Sequence, residues 1–462
     1  MSPSEQIING FPFEPTYGQI EACRLFNVFL ADKDSERPSY ILKGYAGTGK
    51  TTLISQIVKL DIGYDYVLLA PTGRAAKVMS SYSGRGASTI HREIFIREKD
   101  DSGMYSFKRK KNTKSKTIYI IDEASMISDD VEYGGRSLLA DLLEYIYSKP
   151  KNKLLFVGDP AQLPPVGKTN SPALDASYMA VYHRLNVLEC ELTEVVRQEV
   201  NSGVLLNATR LRNSLANKDV NFRFVTQGYR DVYRITPDKL EDGIRYALNK
   251  FGQEETIVIC RSNKAAVNYN NYIRRSIQFR EEEIDAGEIL MVVKNNYTVI
   301  PEDHKAEFIA NGDFVEVLKI RKLQELYGFR FGLLEMQLLD YPEQPAFEAW
   351  VILDVLHSNA PGLTQEEYKK LYESVLEDYT DLPKYKRGAA LKNDKFLNAL
   401  QVKYAYALTC HKSQGGQWGA VFLDQGFLQE DMINTEYVRW LYTAVTRAGK
   451  ELYLLNFDDR FF

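Results

Sequence analysis

Short apolar runs recur along the chain, each bounded by glycine, proline or polar residues. In the first third they are SYILK (39–43), VLLA (67–70), TIYIID (117–122) and KLLFVGD (153–159). Runs without strict alternation suit strands buried on both faces, and the helical or turn-like stretches between them suit crossover connections. The pattern predicts a parallel sheet covered by helices, with ligands beyond the carboxyl ends of its strands. A second series, TIVIC (256–260), YAYALT (404–409), AVFLD (420–424) and LYLLN (452–456), predicts a second unit of the same α/β style.

Two stretches break the rhythm. From about 289 to 355 the segments ILMVV, DFVEVLKIRK, YGFRFGLLEMQLLD and FEAWVILDV are joined by Gly, Asn and Pro-bearing turns. They predict a small antiparallel barrel or meander, and residues 363–400 after it read as helical with mixed charge. The shorter stretch EIFIREKDDSGMYSFKRKK (93–111) predicts a β-hairpin turning at Asp-Ser-Gly. The expected division is a first core of residues 1–91 plus 117–198 with a hairpin insert at 92–116, and a second core of 199–288 plus 401–462 with an insert at 289–400.

Composition narrows the classes. The 462 residues suit about three domains at roughly 150 residues each. With 44% hydrophobic and 26% charged residues this is an ordinary globular balance. No apolar run approaches the ~20 residues of a membrane span, and the N-terminal MSPSEQIING lacks the layout of a signal peptide. Cys23, Cys190, Cys260 and Cys410 are widely spaced with no C-x-x-C pair, which predicts buried free thiols in a reducing, cytoplasmic or nucleoid-associated setting and no zinc site. The net charge of −4 gives no whole-chain attraction to nucleic acid. Only FKRKKNTKSK (107–116), with six Lys or Arg and no acid, is locally basic. It reads equally as a phosphate-steering patch or as a solvated loop.

The candidate chemistry begins at Gly44–Thr51, GYAGTGKT, which fits G-x-x-x-x-G-K-[ST] between a predicted strand and helix. Backbone N–H groups around Gly47, Thr48 and Gly49 would cradle phosphates at the positive end of the helix. Lys50 would reach the β- and γ-phosphates, Thr51 would hold Mg²⁺ through its hydroxyl, and Thr52 follows in the first turn. In IIDEAS, Asp122 and Glu123 close a buried strand, a costly place for two carboxylates without a cation or a proton to move. Asp122 suits the Mg²⁺ shell and Glu123 suits polarising water. In VGDPAQLPPV (157–166), Gln162 is placed to sense a γ-phosphate, although the segment alone also reads as a rigid surface loop. Arg197 and Arg447 read singly as surface ion-pairing residues. If the two cores faced each other across a nucleotide, both would reach the charge developing on the transferred phosphate.

Taken in order, GYAGTGKTT, LLAPTGRAAKVM, STIH, IIDEAS, VGDPAQLPPV, LTEVVRQ, TCHKSQGGQWGAVFLD and YTAVTRAGKELYL resemble the motif series of superfamily-one helicases. The likeness runs from about residue 16 to 456 and is strongest to the 5′→3′ branch of RecD, phage Dda and Pif-type enzymes. It implies two RecA-like cores, a wedge hairpin in the first and an SH3-like barrel in the second, with ATP and Mg²⁺ as cofactors. It implies a motor that walks on single-stranded DNA and unwinds forked duplex. A monomer is expected, since nothing in the sequence requires a partner subunit for the ATP site. It also implies roles for single residues. PTYGQIEA would place Gln19 against the adenine. LLAPTGRAA and STIH would bring Thr72 and His91 to the strand, and CRSN would bring Arg261 and Asn263 near its backbone. HKSQG would run between nucleotide and DNA, with His411, Lys412, Ser413 and Gln414 toward DNA and Gly415 toward ATP. Phe95, Tyr105 and Phe107 of the wedge would stack on a base at the fork, with packing beneath the hairpin an equal reading for Tyr105 and Phe107.

Other P-loop classes fit poorly. A guanine-reading N-K-x-D is lacking, since Asn217-Lys218-Asp219 is followed by Val220. A small-molecule kinase has no need of a second core carrying Arg447. An ATPase that remodels RNA or protein–DNA complexes without processive unwinding keeps the fold and changes the task, because a backbone-tracking groove does not by itself exclude the 2′-OH.

Overall fold

The computed structural model describes residues 1–99, 105–131, 135–196, 201–300 and 308–462. Pro38–Gly44 (β1), Asp65–Ala70 (β2) and Ala87–Thr89 (β3) are followed by the hairpin Phe95–Lys99 (β4) and Tyr105–Arg109 (β5). Thr117–Ile121 (β6), Lys153–Gly158 (β7) and Asn186–Leu192 (β8) complete the first core. Among the described residues its parallel sheet has the order β3-β2-β6-β7-β1-β8. Every residue of β6 and β7 is buried, as continuous apolar runs between two helical layers require. Because β6, β7 and β1 are neighbours, their carboxyl ends set three loops side by side: Asp122–Glu123, Asp159–Gln162 and Gly44–Lys50.

In the hairpin, Phe95 faces Arg109 and Lys99 faces Tyr105. Part of the basic run is spent inside the first core. Arg109 pairs with Asp141 at 3.0 Å and Glu144 at 2.6 Å, and Lys114 pairs with Glu93 at 2.5 Å. These contacts favour the structural reading of those two cations over a free phosphate-steering patch.

Val232–Ile235 (β9) and Thr256–Cys260 (β10) open the second core. The barrel follows as Ile289–Val292 (β11), Phe314–Leu326 (β12), Phe329–Leu338 (β13), Phe347–Ile352 (β14) and Leu400–Tyr404 (β15). Ala407–Thr409 (β16), Trp418–Asp424 (β17) and Ala448–Leu455 (β18) return to the core, whose parallel order is β16-β10-β17-β18-β9. The run expected as one strand at 404–409 is therefore shared. Its first residue ends the barrel, and Asn270 fastens the bend by accepting from the N–H groups of Tyr406 and Ala407 at 3.0 and 2.8 Å.

Within the barrel β14 and β15 pair parallel, whereas the other neighbours pair antiparallel. A parallel pair needs a crossover. The mixed-charge segment supplies it with helices Gln365–Glu377 and Lys384–Lys392. The barrel also shares its interior with the second core. One apolar cluster runs from Phe331 and Phe396 to Trp418, Leu441 and Leu454. At the same junction Arg274, 2% exposed, grips the fully buried Glu288 just before β11, and lies 4.3 Å from the ring centre of Tyr404 in β15.

Candidate active site and nucleic-acid face

The chain leaves β1 at Gly44 and enters helix Lys50–Ile57 through two left-handed glycines, Gly47 (φ 71°) and Gly49 (φ 80°). A Cβ on Gly49 would lie 2.3 Å from Gln19 Nε2 and 3.3 Å from Val196 Cγ2, so the backbone there tolerates no side chain. Lys50 folds over the loop, its Nζ donating to the carbonyls of Gly44 and Tyr45 at 2.7 and 3.0 Å. Thr48 is fully buried and donates to Tyr45 O at 2.8 Å. Gln19 does not face the cleft. It is fully buried, accepts from Thr16 N at 2.9 Å and donates to Thr48 O at 3.0 Å, so it braces the loop from behind. Its expected position against the base gives way to this capping role, because both ends of its amide are already used.

The cleft in front of the loop measures about 540 Å³, within the range of small-ligand sites. Gly47, Gly49, Lys50, Thr51 and Thr52 form one wall, Asp122, Glu123 and Gln162 the floor, and Gly415 and Arg447 the wall from the second core. Burial, and after it the charge of Glu123, push the Asp122 carboxyl up to about 6. Its Oδ1 accepts from Glu123 N at 2.8 Å and its Oδ2 from the Tyr82 hydroxyl at 2.6 Å. Glu123 Oε1 lies 4.0 Å from Arg447 Nη1, which brings an acid of one core to a cation of the other. Arg447 is 2% exposed and is held by Thr443 O at 3.1 Å and Gly416 O at 3.1 Å. The buried Oε1 of Gln162 has no hydrogen-bond partner among the described residues. Arg197 lies outside the described residues.

Directly behind the cleft the two cores are stitched by hydrogen bonds. The Tyr442 hydroxyl donates to Asp159 Oδ2 at 2.6 Å and accepts from Ala46 N at 2.9 Å. Leu163 N donates to Thr443 Oγ1 at 2.8 Å, and Gln414 Nε2 donates to Leu163 O at 2.7 Å. One nucleotide-sized cleft thus receives groups from two α/β cores.

Two known families match stretches of the chain. Residues 30–222 match the AAA domain family and residues 404–455 match the UvrD-like helicase C-terminal domain. The ATP-dependent DNA helicase dda of Enterobacteria phage T4 is 29% identical over 322 residues, covering 66% of this chain and 67% of that protein. The ATP-dependent RecD2 DNA helicase of Deinococcus radiodurans is 24% identical over 436 residues, covering 91% of this chain and 46% of that one. By these matches the chain is similar to the Pif1/RecD-like superfamily-one helicases. Among solved structures, Pif1 helicases at forked double-stranded DNA are 17% identical with a TM-score of 0.48, covering 97% of this chain and 94% of theirs.

The residues expected at the strand fall into two groups. Asn263 opens helix Asn263–Tyr272 half-buried, His411 is exposed and Lys412 half-buried. Burial lowers the Lys412 ammonium to about 8. Arg261 donates to Phe427 O at 3.1 Å beneath a cation–π contact of 5.1 Å to Tyr437. His91 sits between the rings of Phe95 and Phe308, at 5.9 and 6.1 Å, and burial pulls its imidazole down to about 4. It is neutral at physiological pH, so it offers a ring face and no charge.

The other group turns inward. Ser413 is fully buried and donates to Cys410 O at 2.7 Å, and Gln414 is spent on Leu163. Their expected DNA contacts are replaced by structural ones: Ser413 bonds within the short 3-10 turn Cys410–Ser413, and Gln414, which ends that turn, reaches across to the first core. Thr72 caps helix Gly73–Ser83 by accepting from Ala75 N at 3.2 Å, and a Cβ on Gly415 would lie 2.9 Å from its hydroxyl. The backbone of Tyr105 and Phe107 belongs to β5, while their side chains lie outside the described residues.

Sequence reasoning missed Tyr82, Phe13 and Tyr442. Tyr82 sits on an amphipathic helix with nothing but position to distinguish it. Phe13 lines the cleft from the segment before the first-core helix Tyr17–Ala31. Tyr442 stands five residues before Arg447, where its apolar neighbours make it read as core.

Proposed function

We propose that the protein is an ATP-dependent DNA helicase that moves 5′→3′ on single-stranded DNA and separates the duplex ahead of it. The observation that carries this reading is the shared cleft, where Lys50 and Glu123 of one core meet Arg447 of the other. Phosphoryl transfer is accelerated mainly by cations placed on the developing charge. A cleft completed only when two cores meet ties hydrolysis to their closure. In this reading Lys50 neutralises the β- and γ-phosphates, Glu123 orients the attacking water, and Gln162, Arg197 and Arg447 sense the transferred group. Gly47, Thr48, Gly49 and Thr52 complete the nucleotide cradle. Thr51 and Asp122 would hold Mg²⁺, and a carboxyl raised by burial to about 6 is one that gains from a cation beside it.

DNA as partner is supported by the named activities of the dda and RecD2 relatives. Thr72, His91, Phe95, Tyr105, Phe107, Arg261, Asn263, His411 and Lys412 are proposed to face the strand or its path. We assign the motor to residues 1–91 plus 117–198 and 199–288 plus 401–462, the wedge to 92–116, and monomeric action at a fork. Opening one base-pair step costs about 1.4 kcal/mol on average, so the motor chiefly rectifies fraying while the wedge keeps the partner strand out.

The test is ATP-driven strand separation on two matched duplexes, one with a 5′ tail and one with a 3′ tail, with Lys50→Ala as control. Separation from the 5′ tail alone, lost in the control, is expected. Separation from the 3′ tail refutes the direction. ATPase activity with no separation from either favours the remodelling alternative.

A further inference from the structure

Tyr442 is buried at 1% exposure, and its hydroxyl is placed where neither packing nor solubility needs one. It receives the N–H of Ala46, inside the phosphate loop, at 2.9 Å. It donates to Asp159 Oδ2 at 2.6 Å, at the head of the loop that carries Gln162. The other oxygen of Asp159 accepts from Ala161 N at 2.9 Å, so the carboxylate is satisfied only while the phenol is present. Burial raises the Asp159 carboxyl, with Lys50 and the phenol opposing that rise.

The neighbouring stitches differ in reach. Thr443 and Gln414 both bind Leu163, so they hold one first-core loop to the second core. The Tyr442 hydroxyl joins two first-core loops at once, both of which border the nucleotide cleft. Five residues on, the same helix and its C-terminal turn deliver Arg447 to that cleft. A shift of the phosphate loop or of the Gln162 loop therefore reaches Arg447 through only the last turn of helix Thr435–Val445 and the two residues that follow it.

We infer that Tyr442 is a positioning residue that couples the phosphate loop and the Gln162 loop to Arg447, so that the second core closes only over a correctly filled cleft. The inference rests on the ATP-driven reading above and adds a part to it. Tyr442 touches no reacting atom. Its hydroxyl fixes the seam geometry in which Arg447 approaches the nucleotide. Removing it leaves a buried N–H and a buried carboxylate oxygen unpaired in the closed arrangement and hydrated in the open one, so the balance moves toward open.

The test is steady-state ATPase of Tyr442→Phe with saturating single-stranded DNA, beside the wild type and Thr443→Val. For Tyr442→Phe, kcat should fall about tenfold while KM for ATP stays within about twofold, since nucleotide binding does not need the second core's grip. Thr443→Val, which cuts a stitch to Leu163 but none to the phosphate loop, should lose much less kcat. A rise in KM with kcat kept, equal losses in the two variants, or no change would each overturn the inference. If Tyr442→Phe does not fold, adding Asp159→Asn removes the stranded charge, and the same kcat loss without a KM rise is expected of the double variant. A wild type whose ATPase ignores DNA would refute the proposed function instead, so the two failures are distinct.

Discussion

Tyr82→Phe is the substitution whose effect can be worked furthest from the geometry. The Tyr82 hydroxyl donates to Asp122 Oδ2 at 2.6 Å within the cleft. Burial first and Glu123 second raise the Asp122 carboxyl to about 6, while this hydrogen bond and Lys50 oppose the rise. A carboxyl must lose its proton to take a divalent cation. Below its pKa the apparent affinity for Mg²⁺-nucleotide should thus fall about tenfold per pH unit. A hydrogen bond to a charged group contributes about 1.5–3 kcal/mol, and one pKa unit corresponds to about 1.4 kcal/mol. Losing the hydroxyl should move the fall upward by about one to two units. At pH 7 the variant should bind about two- to tenfold more weakly, and by about pH 9, where both carboxyls are ionised, the two proteins should converge. Titration of a fluorescent ATP analogue at fixed Mg²⁺ across that range reads the midpoint directly. An equal loss at every pH would mean that the phenol only packs. An unmoved midpoint would remove Asp122 from the cation site.

Three further outcomes are expected. Lys50→Ala should reduce ATPase turnover to background while leaving the circular-dichroism spectrum and thermal midpoint unchanged, since the ammonium only folds over its own loop. Arg447→Ala should lower kcat by about 10³-fold or more with a smaller change in KM, measured by coupled-enzyme ATPase. Arg274→Met should leave the buried Glu288 carboxylate with only Asp285 N and a longer contact to Arg280 at 3.7 Å, and cost about 3–5 kcal/mol in denaturant unfolding, and a second change, Glu288→Met, should return most of the loss.

Much of the fold can be read from the continuous apolar runs, because β1, β6, β7, β10 and β17 are each covered on both faces or nearly so. The edge strands escape that reading. β8, NVLECEL, interleaves acids and asparagine with apolar residues as a half-exposed strand does, and β3 is only three residues long. The boundary at 400 was blurred for a different reason. Barrel and core meet within LQVKYAYALT, where one apolar stretch serves two sheets without a turn signal between them. At the site, Lys50, Asp122, Glu123 and Arg447 were legible because their motifs combine residue type with spacing. Gln19, Ser413 and Gln414 were legible as important but not as to what they touch. A motif fixes the neighbourhood of a side chain, and the local capping turn decides which way it points.

The shared apolar interior of barrel and second core has a mechanical consequence. Their joint is mainly hydrocarbon, reinforced by Asn270 at the bend and where Arg274 ties Glu288 before β11 to Tyr404 in β15. The described seam between first and second core behind the cleft combines the apolar contact of Ala161 and Leu163 with a short row of hydrogen bonds through Tyr442, Thr443 and Gln414. Strain applied to such a molecule concentrates where the contacts are fewest and most directional. The first core also touches the barrel, where Lys77 Nζ donates to Leu339 O at 2.9 Å and Arg74 lies 5.3 Å from the ring centre of Phe314. The barrel therefore acts as a second bearing, and any rotation at the seam behind the cleft must be shared by the contact beneath it.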